Sequence, residues 1–307
     1  MIDIVMATYN GEMFIRDQLD SILSQTFTDW RLMVSDDCST DRTINIVREY
    51  QELYPEKILL IENKEPSGSA QNNFYRALKY ATADYIMLSD QDDVWLPNKV
   101  EVTFEVMKQL VKEYGNEIPL LVHTDLKVVD ENLKVINNSI FDMQNMDSQR
   151  CELNNLLVQN IVTGCTMMIN KETLKYLKET PKHSVMHDMW IALIASAFGK
   201  IGFLDKSTIL YRQHGKNANG AKNVKSFNYL LRKVFHFQEV QQSLMKQYKQ
   251  ADEFRIFFNE KLSKYQLYML KTYASFDEKN VLERCFELHR YRLFKNGFIK
   301  KLGQIFI

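Results

Sequence analysis

Short apolar runs of strand character alternate with segments of helical spacing through the first part of this chain. The runs IDIVMA (2–7), RLMVS (31–35), KILLIE (57–62) and DYIMLS (84–89) read as strands. Between them Phe14, Ile15, Leu19, Ile22 and Leu23 recur at helical intervals, as do Ile44, Ile46, Val47 and Tyr50 behind the cap candidates Ser39 and Thr40. A third helix is predicted over about 72–81. Strand, helix, strand, helix defines an α/β chain with a mostly parallel sheet flanked by helices.

Sheets of this kind take ligands in the crevice beyond the carboxyl ends of their strands, so the polar residues there are the ones to read for chemistry. The first strand runs into Thr8-Tyr9-Asn10-Gly11, the second into Asp36-Asp37-Cys38-Ser39-Thr40-Asp41 and the fourth into Asp90-Gln91-Asp92-Asp93. Three polar ends, two of them acidic, therefore meet on one edge. Beyond Pro97 a helix is predicted to about Tyr114, followed by strands at 120–125, 161–170 and 207–211 and an apolar helix at 189–198. Residues 130–158 are weakly patterned, and from about Ser226 the spacing is helical almost throughout.

Charge divides the chain where hydropathy does not. Residues 222–307 carry 17 Lys/Arg against 8 Asp/Glu, and residues 1–221 carry 22 against 31. We read 1–221 as the catalytic domain and 222–307 as a basic helical appendage. The net-negative first part opposes binding to nucleic acid. Four scattered cysteines without a C-x-x-C pair suit a reduced, cytoplasmic protein. No run approaches the roughly 18 apolar residues that span a bilayer.

TYNG, SDDCSTD and SDQDDVW, in this order, resemble the nucleotide-sugar signature of family 2 glycosyltransferases, and QDDVW with the later YRQHG resembles the rhamnosyltransferase-like branch. The resemblance spans roughly residues 1–217 and implies a GT-A-like fold. It implies that Asp92 holds a divalent cation, Mn²⁺ or Mg²⁺, that Asp90 lies near the ribose, and that Asp93 and Gln91 complete the donor site. Carboxylates beside an anionic diphosphate require such a cation between them. Asp36 or Asp37 resembles the acceptor for the imide N–H of uracil or thymine, with Thr8, Tyr9 and Asn10 flanking the base. Gly68 and Asn72, in the loop that opens the third helix, stand beside the donor.

The resemblance also makes Asp188, in the pair His187-Asp188, the general base of an inverting displacement. His214 offers an imidazole to the metal and Arg212 a guanidinium to the diphosphate. The loop from Gly215 to Gly220 is suited to ordering over bound donor. Gly164 lets backbone approach the sugar or acceptor, while Trp95 and Trp190 are stacking candidates, a place in the core being the competing reading for Trp95 and the favoured one for Trp190. The function so implied is transfer of a sugar, L-rhamnose from dTDP-L-rhamnose being favoured, to a hydroxyl of a cell-surface polysaccharide or lipid-linked glycan precursor. A UDP-hexose or UDP-N-acetylhexosamine donor and a non-catalytic nucleotide-sugar-binding module are the alternatives. The basic appendage, interleaved with Phe, Tyr and Leu, suits either an anionic membrane surface at the inner face of the cell membrane or a homo-oligomer contact.

Overall fold

The strand β1 (Ile2–Thr8) is buried along its whole length, which is why all but two of its residues are apolar. Parallel β2 (Trp30–Asp36) and β4 (Tyr85–Ser89) flank it, and β3 (Ile58–Glu62) continues the parallel set beyond β2. The helices α1 (Ile15–Leu23), α2 (Thr43–Leu53) and α3 (Ala70–Leu78) make the crossovers. The buried carboxylate of Asp3 holds the start of this layer together. It accepts from the Arg31 guanidinium at 2.9 Å and from the backbone N–H groups of Thr82 and Ala83 at 2.7 and 2.9 Å. A sealed charge with this many donors is compatible with a dry interior.

This is a computed structural model describing residues 1–215, 237–297, 300–301 and 304–305. The loop 216–220 expected to order over donor, the opening of the basic segment to residue 236 and parts of the C-terminal FKNGFIKKLGQIFI lie outside the described residues.

After β4 the sheet turns mixed. The elements that follow are β5 (Val94–Trp95), α4 (Lys99–Tyr114), β6 (Leu120–Val129), β7 (Val135–Asn137), α5 (Ile140–Met143), α6 (Leu153–Val158), β8 (Met168–Asn170), α7 (Lys171–Leu174), α8 (His187–Phe198) and β9 (Lys200–Arg212). The strand order is β3-β2-β1-β4-β8-β6-β9-β5, with β7 on β6. β8 is antiparallel to both β4 and β6, β6 is parallel to β9, and β5 is antiparallel to β9.

Two strands differ from their sequence reading. Of 161–170 only Met168–Asn170 is strand, because Gly164–Thr166 closes a 3₁₀ turn in which the Thr166 amide and hydroxyl both bond the Thr163 carbonyl, at 2.9 and 2.7 Å. The strand read at 207–211 starts seven residues earlier and pairs with β6 from Leu120 onward. Trp95 is no stacking platform: it is 2% exposed, with the Lys99 ammonium 4.7 Å from its ring.

Two compact units emerge. The first comprises Met1–Ile140, Val162–Thr180 and Phe198–Ala221, and holds the whole sheet. The second comprises Phe141–Ile161, Pro181–Ala197 and Lys222–Ile307. Its helices include α9 (Phe237–Phe257), α10 (Lys264–Ala274) and α11 (Val281–Tyr291). The C-terminal helices thus share a core with segments from the middle of the chain. Trp190 of α8 lies 5.2 Å from Phe254 and 5.7 Å from Phe257, ring to ring, and in the same unit Tyr273 packs edge to face with both Tyr248 and Phe276. Trp190 is therefore core. Capping boxes, Ser263 with Gln266 and Asn280 with Glu283, start α10 and α11. Among the described residues no helix is long and apolar enough to cross a membrane.

Candidate functional site

The parallel strands β1, β2 and β4 end side by side, and their polar tips are tied to one another by side chains. Thr8 Oγ1 donates to Asp36 Oδ2 at 2.8 Å, and the Ser39 amide and hydroxyl donate to the same carboxylate at 2.8 and 2.6 Å. Asp37 is sealed in turn by Ser67, whose amide and hydroxyl reach it at 2.6 and 2.7 Å. The Asp36-Asp37 pair therefore fastens β1 and the loop before α3 to the end of β2.

Tyr9 stands 55% exposed at the end of β1, its ring open to solvent. Its backbone is clamped on both sides by Gln91, which accepts from Tyr9 N at 2.9 Å and donates to Tyr9 O at 3.0 Å. Gly11 makes room for that amide, since a Cβ at this position would overlap the Gln91 side chain. Asn10 adopts φ 47°, a conformation Asn tolerates, and its side chain accepts from Thr40 N at 2.8 Å. Gly68 has φ +86° in open space, and Asn72 donates to Ser67 O at 2.9 Å, so this loop is fixed by its own residues.

The acid loop Asp90–Asp93 connects β4 to the two-residue β5. Because Val94 pairs with Leu210, it is drawn to the end of β9, where Arg212 and His214 follow. His214 Nε2 lies 2.8 Å from Asp92 Oδ2. The 3₁₀ turn at Gly164 carries Cys165 to the same place, and the ligand atoms of Asp90, Asp93 and Cys165 fall within 4.8 Å of one another. Gly164 itself is buried.

The electrostatics sort these groups. Asp93 is fully buried, and burial, with Asp92 and Asp90 beside it, holds its carboxyl well above the usual carboxylate range. Burial and the neighbouring Asp93 likewise push the Cys165 thiol up, so it stays protonated and is a poor ligand for a hard cation. Beneath them Lys99 is buried with no hydrogen-bond acceptor for its ammonium among the described residues, and burial brings it down to about 8. Tyr211 is held neutral by burial and by Asp90. A carboxylate oxygen and an imidazole nitrogen 2.8 Å apart are close enough to be neighbouring ligands of one divalent ion, and the donor set suits Mn²⁺ or Mg²⁺. Asp93 Oδ2 is buried without a hydrogen-bond partner.

Arg212 is turned into the protein. It is 3% exposed, and Nε donates to Asp92 O at 2.8 Å, one terminal nitrogen to Glu131 O at 2.6 Å and the other to Asp17 at 2.7 Å. Asp188 belongs to the second unit, in the first turn of α8, where Oδ1 accepts from Met189 N at 2.6 Å.

Residues 3–177 match the family model described as glycosyl transferase family 2. The chain belongs to that family. Among relatives of this family 2 glycosyltransferase is the dTDP-rhamnosyl transferase RfbG of Shigella flexneri, 33% identical over 231 residues that cover 70% of this chain and 74% of the relative. Another is the UDP-Glc:alpha-D-GlcNAc-diphosphoundecaprenol beta-1,3-glucosyltransferase WfgD of Escherichia coli, 28% identical, covering 63% and 70%. Residues 1–349 of Staphylococcus aureus TarS superpose with TM-score 0.57 at 18% identity, covering 95% of this chain and 77% of that fragment. The mannosyltransferase PcManGT of Pyrobaculum calidifontis, solved with GDP-Man and Mn²⁺, gives TM-score 0.56 at 16% identity, covering 99% and 85%. The mixed sheet with its flanking helices is a GT-A-like fold, and the chain is a glycosyltransferase of the rhamnosyltransferase-like branch.

The sequence placed Asn73 only within the segment that opens the third helix and gave it no role of its own. Asn73, buried in α3, donates to Ser35 O at 2.8 Å and Thr8 O at 3.3 Å and accepts from Ser35 Oγ at 2.7 Å, so it sets the spacing of the β1 and β2 tips. Its signal was an amide on the apolar face of α3, one residue before Phe74.

Proposed function

We propose that this glycosyltransferase is an inverting, metal-dependent hexosyltransferase that moves L-rhamnose from dTDP-L-rhamnose to a hydroxyl of a cell-surface polysaccharide or lipid-linked glycan precursor. The observation that carries the metal-dependent chemistry is the Asp92–His214 pair at the strand tips. The 33% identity to a dTDP-rhamnosyl transferase supports the donor, and a relative that acts on a diphosphoundecaprenol-linked sugar supports a lipid-linked acceptor. Asp92 and His214 would hold Mn²⁺ or Mg²⁺, with Asp90 beside them near the ribose. A cation held by these residues would supply positive charge to the diphosphate leaving group.

The chain's own residues do the remaining work. Tyr9, held by Gln91, offers its ring to the pyrimidine, and the Asp36-Asp37 pair with Thr8 and Asn10 forms the wall at the base edge. Gly68 and Asn72 shape the loop beside the donor, and Gly164 the turn that carries Cys165. Asp188 accepts the acceptor hydroxyl's proton as that oxygen bonds to the anomeric carbon and the bond to the diphosphate breaks, a contribution of typically about 10²–10⁴-fold. The support for Asp188 is the family-like His187-Asp188 pair that opens α8. We place the protein in the cytoplasm. There the basic region 222–307 would meet the anionic inner leaflet, with a homo-oligomer contact as the rival use.

Thermal-shift measurement of nucleotide sugars with Mn²⁺ tests the donor, since a ligand at 100 times its dissociation constant stabilises by about 2.7 kcal/mol. The expected result is the largest shift with dTDP-L-rhamnose, and rhamnose release with Mn²⁺ that disappears in Asp92→Ala. A larger shift with a UDP-hexose or UDP-N-acetylhexosamine would reassign the donor. Binding without turnover for any donor and acceptor would leave a nucleotide-sugar-binding module.

A further inference from the structure

The side chain of Arg212 closes a ring of contacts around the Asp92–His214 pair. Its Nε holds the backbone carbonyl of Asp92 at 2.8 Å, while its own backbone N–H is held by Asp93 Oδ1 at 3.0 Å. The guanidinium carbon lies 4.5 Å from the centre of the Phe14 ring, and that ring lies 4.7 Å from the His214 imidazole. His214 Nε2 then meets Asp92 Oδ2 at 2.8 Å, which returns the path to the residue where it began. Two further anchors fix the guanidinium to the rest of the unit. They are Glu131 O, just beyond β6, and Asp17 on α1.

We infer that Arg212 is a positioning residue for the metal site, with Phe14 as its seat, and does not bind the donor phosphates. The inference rests on the metal reading of Asp92 and His214 given above. A planar fork with five donors can hold Asp92 O, Glu131 O and Asp17 at once, whereas a lysine ammonium is a single point on a flexible stem. Holding Asp92 by its peptide carbonyl leaves its carboxylate for ligand duty and fixes the direction in which it points. Phe14, packed between guanidinium and imidazole, fixes the ring of His214. Partners of this kind, which orient ligands without touching the ion, govern affinity for the metal. Phosphate binding would instead require N–H groups facing the crevice, whereas the Arg212 side chain is 3% exposed and each of its three nitrogens donates to a protein oxygen.

Arg212→Lys separates the two roles because it keeps the charge and loses the fork. Mn²⁺ alone is titrated into the metal-free protein and followed by electron paramagnetic resonance, and dTDP binding in EDTA is followed by calorimetry. Arg212→Lys is expected to weaken Mn²⁺ binding by about 10- to 100-fold, in the range usual for groups that orient ligands, and to leave dTDP binding in EDTA unchanged. Phe14→Leu, which keeps an apolar side chain but removes both ring faces, is expected to weaken Mn²⁺ in the same direction, and it decides the matter alone should Arg212→Lys not fold. Unchanged Mn²⁺ affinity in the folded variants, or weaker dTDP binding in EDTA with Mn²⁺ affinity intact, would overturn the inference. Mn²⁺ binding by the unsubstituted protein that vanishes in Asp92→Ala establishes the metal reading separately. An unsubstituted protein indifferent to Mn²⁺ would overturn that reading and the inference together.

Discussion

Tyr9 and Gln91 show what one amide contributes to this site. Free to rotate, an exposed tyrosine at a strand end would lose side-chain and backbone freedom on meeting a base, and that loss would weaken binding. Gln91 removes part of it beforehand by fixing the Tyr9 peptide through both an acceptor and a donor contact. Gln91→Ala is therefore expected to raise the donor KM about 5- to 10-fold, the cost of roughly one net hydrogen bond, with kcat nearly unchanged. Steady-state kinetics over a donor series measures it, and an equal fall in kcat would place Gln91 at the reacting centre. The sequence put Gln91 in the donor site through its motif, yet gave no sign of its partner. A side chain's choice between ligand and backbone is settled by atoms that lie 82 residues apart.

At the scale of elements, the β5–β9 pairing and the β6–β9 pairing assemble the acid loop and the Arg212–His214 segment. The second pairing begins where Gly199 passes the Pro119 carbonyl. Lys200 N donates to that carbonyl at 3.0 Å, and a Cβ on Gly199 would overlap it. Gly199→Ala is expected to destabilise the protein by about 1–3 kcal/mol through forced separation of the two strands, read as a lower urea midpoint with unchanged slope. A neutral result would mean that the start of β9 is free to shift. Neither pairing was legible beforehand. β5 is two residues long, too short for any periodicity, and the opening of β9, with Gly202 and Asp205, reads as loop until β6 supplies its hydrogen bonds. The strands β1, β2 and β4 were legible because burial on both faces forces continuous apolar runs, and the edge strand β3 because its run Ile58–Ile61 is apolar throughout although partly exposed.

On the scale of the whole molecule, each compact unit buries one histidine among the described residues. His123 in β6, its ring 5.0 Å from that of Phe203, and His187 at the start of α8 are both pulled down by burial to about 3, from the ordinary 6.5. With the folded value below the unfolded one, the unfolded chain binds protons that the folded chain refuses. The stability is whole above about pH 6.5 and declines as pH falls toward 3. At pH 5 each histidine costs on the order of 1–2 kcal/mol relative to neutrality. Urea unfolding at pH 7 and pH 5 tests this: the midpoint is expected to fall with pH, and to fall less in His123→Phe. Identical losses in both proteins would show that His123 takes up its proton without unfolding.

The sequence by itself determined the family, the parallel half of the sheet and the polar strand ends that carry the proposed donor chemistry. These are consequences of local pattern: apolar runs that must be buried, and acids clustered where a strand stops. Only the tertiary structure decided that Arg212 turns inward, that Trp95 is core, and that the helices beyond residue 237 share a core with Pro181–Ala197. Each of those outcomes depends on which groups, distant in the chain, compete for the same donor, acceptor or apolar surface. Such competition is resolved in space and leaves no period in the sequence.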